Sequence, residues 1–244
     1  MCFEPDSDPP IEPNGKPIET RRINLVASDG TEFAVHEATP AEPSSTTVLV
    51  LPDVRGLFRF YAELADRFAE HGYRSLAIDY FGRTAGTDPR PDDFEFMPHI
   101  EAMTYDSFVL DVRASLDHLA ADRVFVVGFC FGGSNAWHLA AEGLGLAGVI
   151  GFYGHPDRDR PTGSGSVIDK VDRITCPVLA LMAGDDHMIT PDLVDRFEQA
   201  LADAGVRHEV VTYPGAPHSF FDRKQEEYRA ESEDAWNRIV SFLG

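Results

Sequence analysis

The chain has 244 residues, 43% of them hydrophobic and 25% charged, which supplies a substantial core and excludes wholesale disorder. Its 41 acidic and 21 basic residues leave a formal net charge of -20, a field that repels phosphate backbones and anionic membrane surfaces, so nucleic acid and membranes are poor candidate partners. Three cysteines make no disulfide framework, the first residues carry no basic, apolar leader, and no stretch reaches the ~18 apolar residues of a membrane span, so a cytoplasmic protein is expected.

Residues 1–19 are rich in Pro, Asp and Glu and read as an arm lying on the surface, ahead of a single domain over 20–244. A hairpin comes first, 21–27 and 31–38 about Ser28-Asp29-Gly30, because Asp-Gly between alternating segments favours a tight reversal. The unbroken β-rich run 46–51 suits a strand buried on both faces. Helix 61–71 puts Leu64, Ala65, Phe68 and Ala69 on one stripe, and Gly72 ends it. Strand 73–80 precedes a long loop over 81–100. Helix 103–120 carries Phe108, Val112, Leu116 and Leu119 at helical spacing. Strand 123–129, helix 133–141 and strand 146–153 follow, then a polar loop to residue 173. Strand 177–182, helix 191–202 with Thr190 as N-cap and Pro191 at its first position, strand 208–213 and helix 224–243 complete the order. Such alternation predicts an α/β fold, a parallel sheet with helices on both faces. Sites in these sheets form at the carboxyl ends of the strands, and long loops such as 81–100 and 154–173 are usually functional.

The sharpest local signal is Val127-Gly128-Phe129-Cys130-Phe131-Gly132-Gly133, which leaves a strand and opens a helix. It has the Gly-x-nucleophile-x-Gly form of the α/β-hydrolase elbow, with Cys where Ser is commoner. A tight turn lifts the nucleophile above the sheet, and the glycines are small because strand and helix pass closely. A helix start ahead of a thiol, and a histidine beside it, both favour the thiolate. Free cysteine is more often a small buried hydrophobe, but the glycine framing and the strand–turn–helix context select Cys130 as nucleophile. Cys2 and Cys176 lack that framing and read as structural.

An elbow of this kind is followed along the chain by an acid and then a histidine. The strand 177–182 runs into Ala183-Gly184-Asp185-Asp186-His187, and the last strand into Tyr213-Pro214-Gly215-Ala216-Pro217-His218-Ser219-Phe220. Of nine histidines, only His218 ends the last strand in a Gly/Pro-bounded loop. His99, His155 and His187 lie on loops that could line a pocket. Asp185 and Asp186 both qualify as the acid. Gly143-Leu144-Gly145-Leu146-Ala147-Gly148 matches a dinucleotide fingerprint but leaves a helix and enters a strand, the reverse of what that motif needs. No phosphate-binding loop and no metal-ligand spacing occurs, so metal binding has no support.

With these motifs the chain resembles the dienelactone hydrolase family, the carboxymethylenebutenolidases, over roughly residues 20–243. The elbow is similar to that family's cysteine elbow. Gly184-Asp185-Asp186-His187 resembles its acid segment, in which the residue before the histidine is the triad acid, and this selects Asp186. Gly215-Ala216-Pro217-His218-Ser219-Phe220 resembles its histidine segment. Leu51-Pro52-Asp53-Val54-Arg55-Gly56 matches the segment carrying an acid followed by an oxyanion-hole residue. The resemblance implies an α/β-hydrolase fold with a mostly parallel sheet of about eight strands and no cofactor. It implies acyl transfer through a thioester at Cys130, with the oxyanion held by the backbone N–H groups of Val54 and Phe131. Asp53 would modulate the thiol, one methylene shorter than the family's usual Glu.

Family members that take dienelactones hold the substrate carboxylate with arginines. Arg55, Arg59, Arg83 and Arg223 are the candidates here, and Asp222 stands where an arginine would be expected. Tyr153 and Phe220 are aromatic candidates for substrate contact. The expected partner is a small-molecule ester or lactone, hydrolysed by Cys130, His218 and Asp186. A broad carboxylesterase or thioesterase on the same triad and a non-catalytic binding module are the alternatives.

Overall fold

The computed structural model describes residues 3–244, so Cys2 lies outside the described residues. Strands β1 (Ile18–Val26) and β2 (Glu32–Pro40) form the antiparallel hairpin, turning where Gly30 takes φ 84°. Strands β3 (Thr46–Leu51), β4 (Arg74–Ile78), β5 (Arg123–Phe129), β6 (Gly148–Phe152), β7 (Val178–Asp185) and β8 (His208–Pro217) extend it into one eight-stranded sheet of order β1-β2-β4-β3-β5-β6-β7-β8. Only β2 runs against its neighbours; β3 to β8 are mutually parallel. Every residue of β3 and β6 is buried, as unbroken apolar runs require when both faces of a sheet are covered.

The main helices are α1 (Arg59–Glu70), α4 (Tyr105–Leu119), α5 (Phe131–Ala140), α6 (Pro191–Asp203) and α7 (Arg229–Leu243). The stripe Leu64, Ala65, Phe68 and Ala69 is buried, as its spacing predicts. The loop expected over 81–100 is broken by two short helices, α2 (Gly82–Ala85) and α3 (Met97–Ala102). At four and six residues they are too short to carry a helical period in sequence. No helix among the described residues is long and apolar enough to cross a membrane.

The parallel register brings the carboxyl ends of β3, β5, β6, β7 and β8 to one edge. Two details shape that edge. Strand β8 runs to Pro217, past the expected end at Tyr213, and the register slips between Ala183 and Asp185 so that Asp185 pairs with Pro217. The next residues on each strand, Asp186 and His218, are thereby set side by side. The arm is also less superficial than its composition suggests. Phe3 is 2% exposed, its ring stacked on Phe60 at 3.9 Å between centroids and edge-on to Phe129. Composition reports the polar residues of a segment; it does not report a slot cut for one aromatic ring.

Candidate active site

The elbow has the geometry that its glycines imply. Cys130 takes φ 54° and ψ -108° and opens α5. Its backbone N–H donates to Phe152 O at 3.0 Å, tying the turn to β6. A Cβ on Gly128 would lie 2.0 Å from Gly132 O, and one on Gly132 would lie 2.2 Å from Leu51 O. Both contacts are with backbone, so no side chain can give way, and glycine is required at each position. Left-handed backbone at a non-glycine residue is strained and marks functional turns.

Asp186 and His218 meet across the β7 and β8 ends, with His218 Nδ1 2.6 Å from Asp186 Oδ2. The Asp186 side chain is 1% exposed and that of His218 18%. Met188 N–H donates to Asp186 Oδ1 at 2.9 Å. Burial opposes ionisation of Asp186. The hydrogen bond and charge of His218, with backbone N–H groups of Met188 and Ile189, outweigh it and hold the carboxyl below the ordinary value. Asp185 is exposed. Of the two acids, Asp186 is the one that β7 turns towards His218.

Cys130 and His218 line one small cleft together with Val54, Phe131, Ser134, Tyr153, His155, Arg158, Arg160, Met188 and Ile189. The two expected oxyanion residues and Tyr153 are therefore beside Cys130. The Tyr153 ring packs on His218 with centroids 4.9 Å apart. Of the loop histidines only His155 reaches the cleft. Its N–H donates to Ser134 Oγ at 2.7 Å, and burial, with the charge of Arg158, pushes its pKa down. His99 stacks on Phe94 and His187 is exposed.

The remaining expected substrate residues do not line this cleft. Phe220 is fully buried behind it, packed on Tyr153 and Tyr213. Arg83 is held by Asp29 at 3.0 Å and Asp111 at 2.5 Å. Arg223 is held by Asp8 at 2.9 Å and Glu12 at 2.7 Å, and Arg59 by Asp8 and Glu63. Arg55 folds back on Asp53 and lies over the Phe58 ring, 3.8 Å from its centroid. Asp53 is fully buried, and its carboxylate accepts from Arg55: the backbone N–H at 2.8 Å, Nε at 3.2 Å and Nη2 at 2.7 Å. Its carboxylate is thus engaged by an arginine two residues on.

The arginines that do reach the cleft are Arg158 and Arg160, on the loop after β6. Arg160 Nη2 approaches Met97 Sδ at 3.8 Å, and among the described residues neither arginine makes an ion pair. The sequence signal was only that the loop is long. Cys176, a free thiol like Cys130, is buried elsewhere, and burial pushes its pKa up to about 11. Among the described residues no group of three His, Cys, Asp or Glu side chains is arranged to hold a metal ion.

Residues 33–244 match the model of the dienelactone hydrolase family. A protein of Escherichia coli K12 named "Putative carboxymethylenebutenolidase" is 28% identical over 235 residues, covering 89% of this chain and 84% of its own length. A Bradyrhizobium protein named "Probable 2-oxo-3-(5-oxofuran-2-ylidene)propanoate lactonase" is 26% identical over 205 residues, covering 80% and 82%. The crystal structure of a dienelactone hydrolase-type protein from Klebsiella pneumoniae superposes with a TM-score of 0.76 at 24% identity, over 93% of this chain and 99% of that one.

Proposed function

The chain belongs to the dienelactone hydrolase family, and from that premise we propose that it hydrolyses an ester or lactone through Cys130, His218 and Asp186. The observation that carries this reading is the 2.6 Å contact of His218 Nδ1 with a buried Asp186, in the cleft that Cys130 lines from a strained elbow. Asp186 fixes the tautomer with the proton on Nδ1, which leaves Nε2 to accept the proton of the Cys130 thiol. The sulfur attacks the carbonyl carbon, and the carbonyl π pair moves onto oxygen. The backbone N–H groups of Val54 and Phe131 receive that oxyanion, each typically contributing about 3–4 kcal/mol to such a step. Collapse expels the alkoxide or enolate, which takes the proton back from His218 and leaves a thioester on Cys130. Water, deprotonated by His218, attacks the thioester; the acid leaves and the thiol is restored. For a lactone the leaving oxygen stays tethered to the acyl group.

The cleft also supports a substrate class. Its walls at Val54, Phe131, Tyr153 and Ile189 are apolar, and Arg158 and Arg160 stand on one side. We infer an unsaturated ester or lactone carrying an anionic group, held by these arginines. The Bradyrhizobium relative is named for a lactone that bears a carboxylate, which agrees with that reading. The test is turnover of a short-chain nitrophenyl ester and a small carboxylated unsaturated lactone by wild type, Cys130→Ala and His218→Ala. Hydrolysis that both variants lose supports the reading. Turnover that survives Cys130→Ala refutes it.

A further inference from the structure

The segment before β1 makes more contacts with the cleft's supporting loops than a surface arm requires. The Phe3 ring lies against Phe60, Tyr61 and Phe129, and Phe129 immediately precedes Cys130. The Phe3 carbonyl accepts from Arg55 Nη1. That arginine also grips Asp53, so the turn containing Val54 is held on either side of it. Ser7 Oγ donates to Asp222 Oδ2 at 2.7 Å, and both side chains are buried. Asp222 Oδ1 accepts from Lys224 N–H at 2.7 Å, which folds the loop that carries His218. Asp8 then joins the two sides. Its carboxylate takes Arg59, at the start of α1, at 2.7 Å and Arg223 at 2.9 Å, while its carbonyl accepts from Arg223 N–H at 3.0 Å. Arg59 Nη2 donates to Ser7 O at 2.9 Å.

We propose that residues 3–8 are a strap that positions the catalytic groups, tying the Val54 turn, held at Phe3, to the His218 loop, held at Ser7 and Asp8. The inference rests on the reading of Cys130, His218 and Val54 given above. Two loops from opposite ends of the chain, residues 52–58 and 218–225, share no sheet hydrogen bonds with each other; β3 and β8 are separated by β5, β6 and β7. A third segment that bonds both is the direct way to fix their spacing. The exposed pairs of Asp8 contribute little to stability, so their role is spacing. The buried Ser7 to Asp222 bond has more at stake, since Asp222 without it keeps one buried oxygen unsatisfied. Ser7 and Asp8 are positioning residues, acting on the base through Asp222 and Arg223 and on the start of α1 through Arg59, while Phe3 reaches the Val54 turn through Arg55.

The experiment uses the full chain with a nitrophenyl ester substrate. Ser7→Ala should lower kcat by ~10-fold with KM little changed, because misplacement of catalytic groups by a fraction of an ångström acts on the transition state. Ser7→Thr, which keeps the hydroxyl, should restore most of the activity. Asp8→Asn, at a half-exposed site that leaves folding intact, should lower kcat ~3-fold by the same route. Cys130→Ala runs alongside. If it is inactive while Ser7→Ala and Asp8→Asn both match wild type, the strap is overturned and the hydrolase reading stands. If the Ser7→Ala deficit appears equally in Ser7→Thr, the hydroxyl does not position anything and the proposal fails. If Cys130→Ala stays active, both readings fall.

Discussion

Arg55→Met removes a charge from beside a carboxylate that has no exposure at all. Asp53 is 0% exposed, and Arg55 supplies its side-chain partners through Nε and Nη2 as well as a backbone N–H at 2.8 Å. Methionine keeps much of the volume and the contact with Phe58, so the perturbation is mainly electrostatic. Stranding one member of a buried pair destabilises by about 3–5 kcal/mol. For a chain of this size each kcal/mol moves Tm by about 2–4 °C, so the variant should melt about 6–20 °C lower. The second half of the argument is a rescue. Asp53→Asn in the Arg55→Met background removes the stranded charge, and the double variant should recover to within about 1–2 kcal/mol of wild type, the remainder being lost hydrogen bonds. Urea titrations of the two single variants and the double variant close the cycle. If Arg55→Met falls by less than about 1 kcal/mol, or if the double variant is no more stable than Arg55→Met, the carboxylate is not held as described and the reasoning is refuted.

Three further outcomes are expected. Asp186→Asn should fold normally and lose about 10³–10⁴-fold in kcat, since an amide no longer enforces the Nδ1–H tautomer of His218; near-wild-type turnover would remove Asp186 from the triad. Glu37 has a side chain with no exposure, and its carboxyl is held at about 2; burial opposes this, but hydrogen bonds from His118, Arg74 and Arg21 prevail. A folded value below the unfolded 4.5 contributes stability above pH 4.5 that is lost as pH falls towards 2. Glu37→Gln should therefore lower stability by about 3 kcal/mol at pH 7, with the gap closing over that window; a gap independent of pH would contradict the assignment. Arg158→Ala and Arg160→Ala should each raise KM for a carboxylated lactone ~10-fold or more while leaving a neutral nitrophenyl ester within about two-fold, as loss of a charge-assisted hydrogen bond implies; equal effects on both substrates would argue against an anion site.

The parts of the candidate site that follow directly on strand ends were legible in sequence. Cys130 was marked by Gly128 and Gly132, whose missing Cβ atoms are demanded by backbone crossing at 2.0–2.2 Å. His218 and Asp186 were marked by their place after the last strands. The choice between Asp185 and Asp186 was not legible from residues alone, because it depends on the register slip opposite Pro217. The helices α2 and α3 escaped because a turn or two leaves no period. The burial of Phe3 escaped because its slot is built from Phe60, Tyr61 and Phe129, residues distant in sequence. The arginines misled for a related reason: Arg83 sits on the right side of β4, yet its partners Asp29 and Asp111 come from the hairpin turn and α4.

That last point has a general cause in a chain this acidic. With a formal charge of -20, an arginine near the candidate site usually finds a carboxylate of the protein within reach, as Arg55, Arg59 and Arg223 do. An arginine stays available to a substrate only where neighbouring acids are committed elsewhere. The loop after β6 meets that condition within four residues, Asp157-Arg158-Asp159-Arg160. Asp157 turns to Arg196 on α6, 3.4 Å away. Asp159 Oδ1 accepts the backbone N–H groups of Gly163 at 2.8 Å and Gly165 at 2.7 Å, and so shapes its own loop. The two acids are spent on structure, and among the described residues the alternating arginines line the cleft without an ion pair. Asp159→Ala should therefore weaken a carboxylated lactone more than a neutral ester, although Asp159 carries the same sign of charge as the substrate. Simple electrostatics predicts the opposite, tighter binding once a nearby negative charge is gone, so the direction of the change in KM decides whether Asp159 acts by its charge or by the loop it holds.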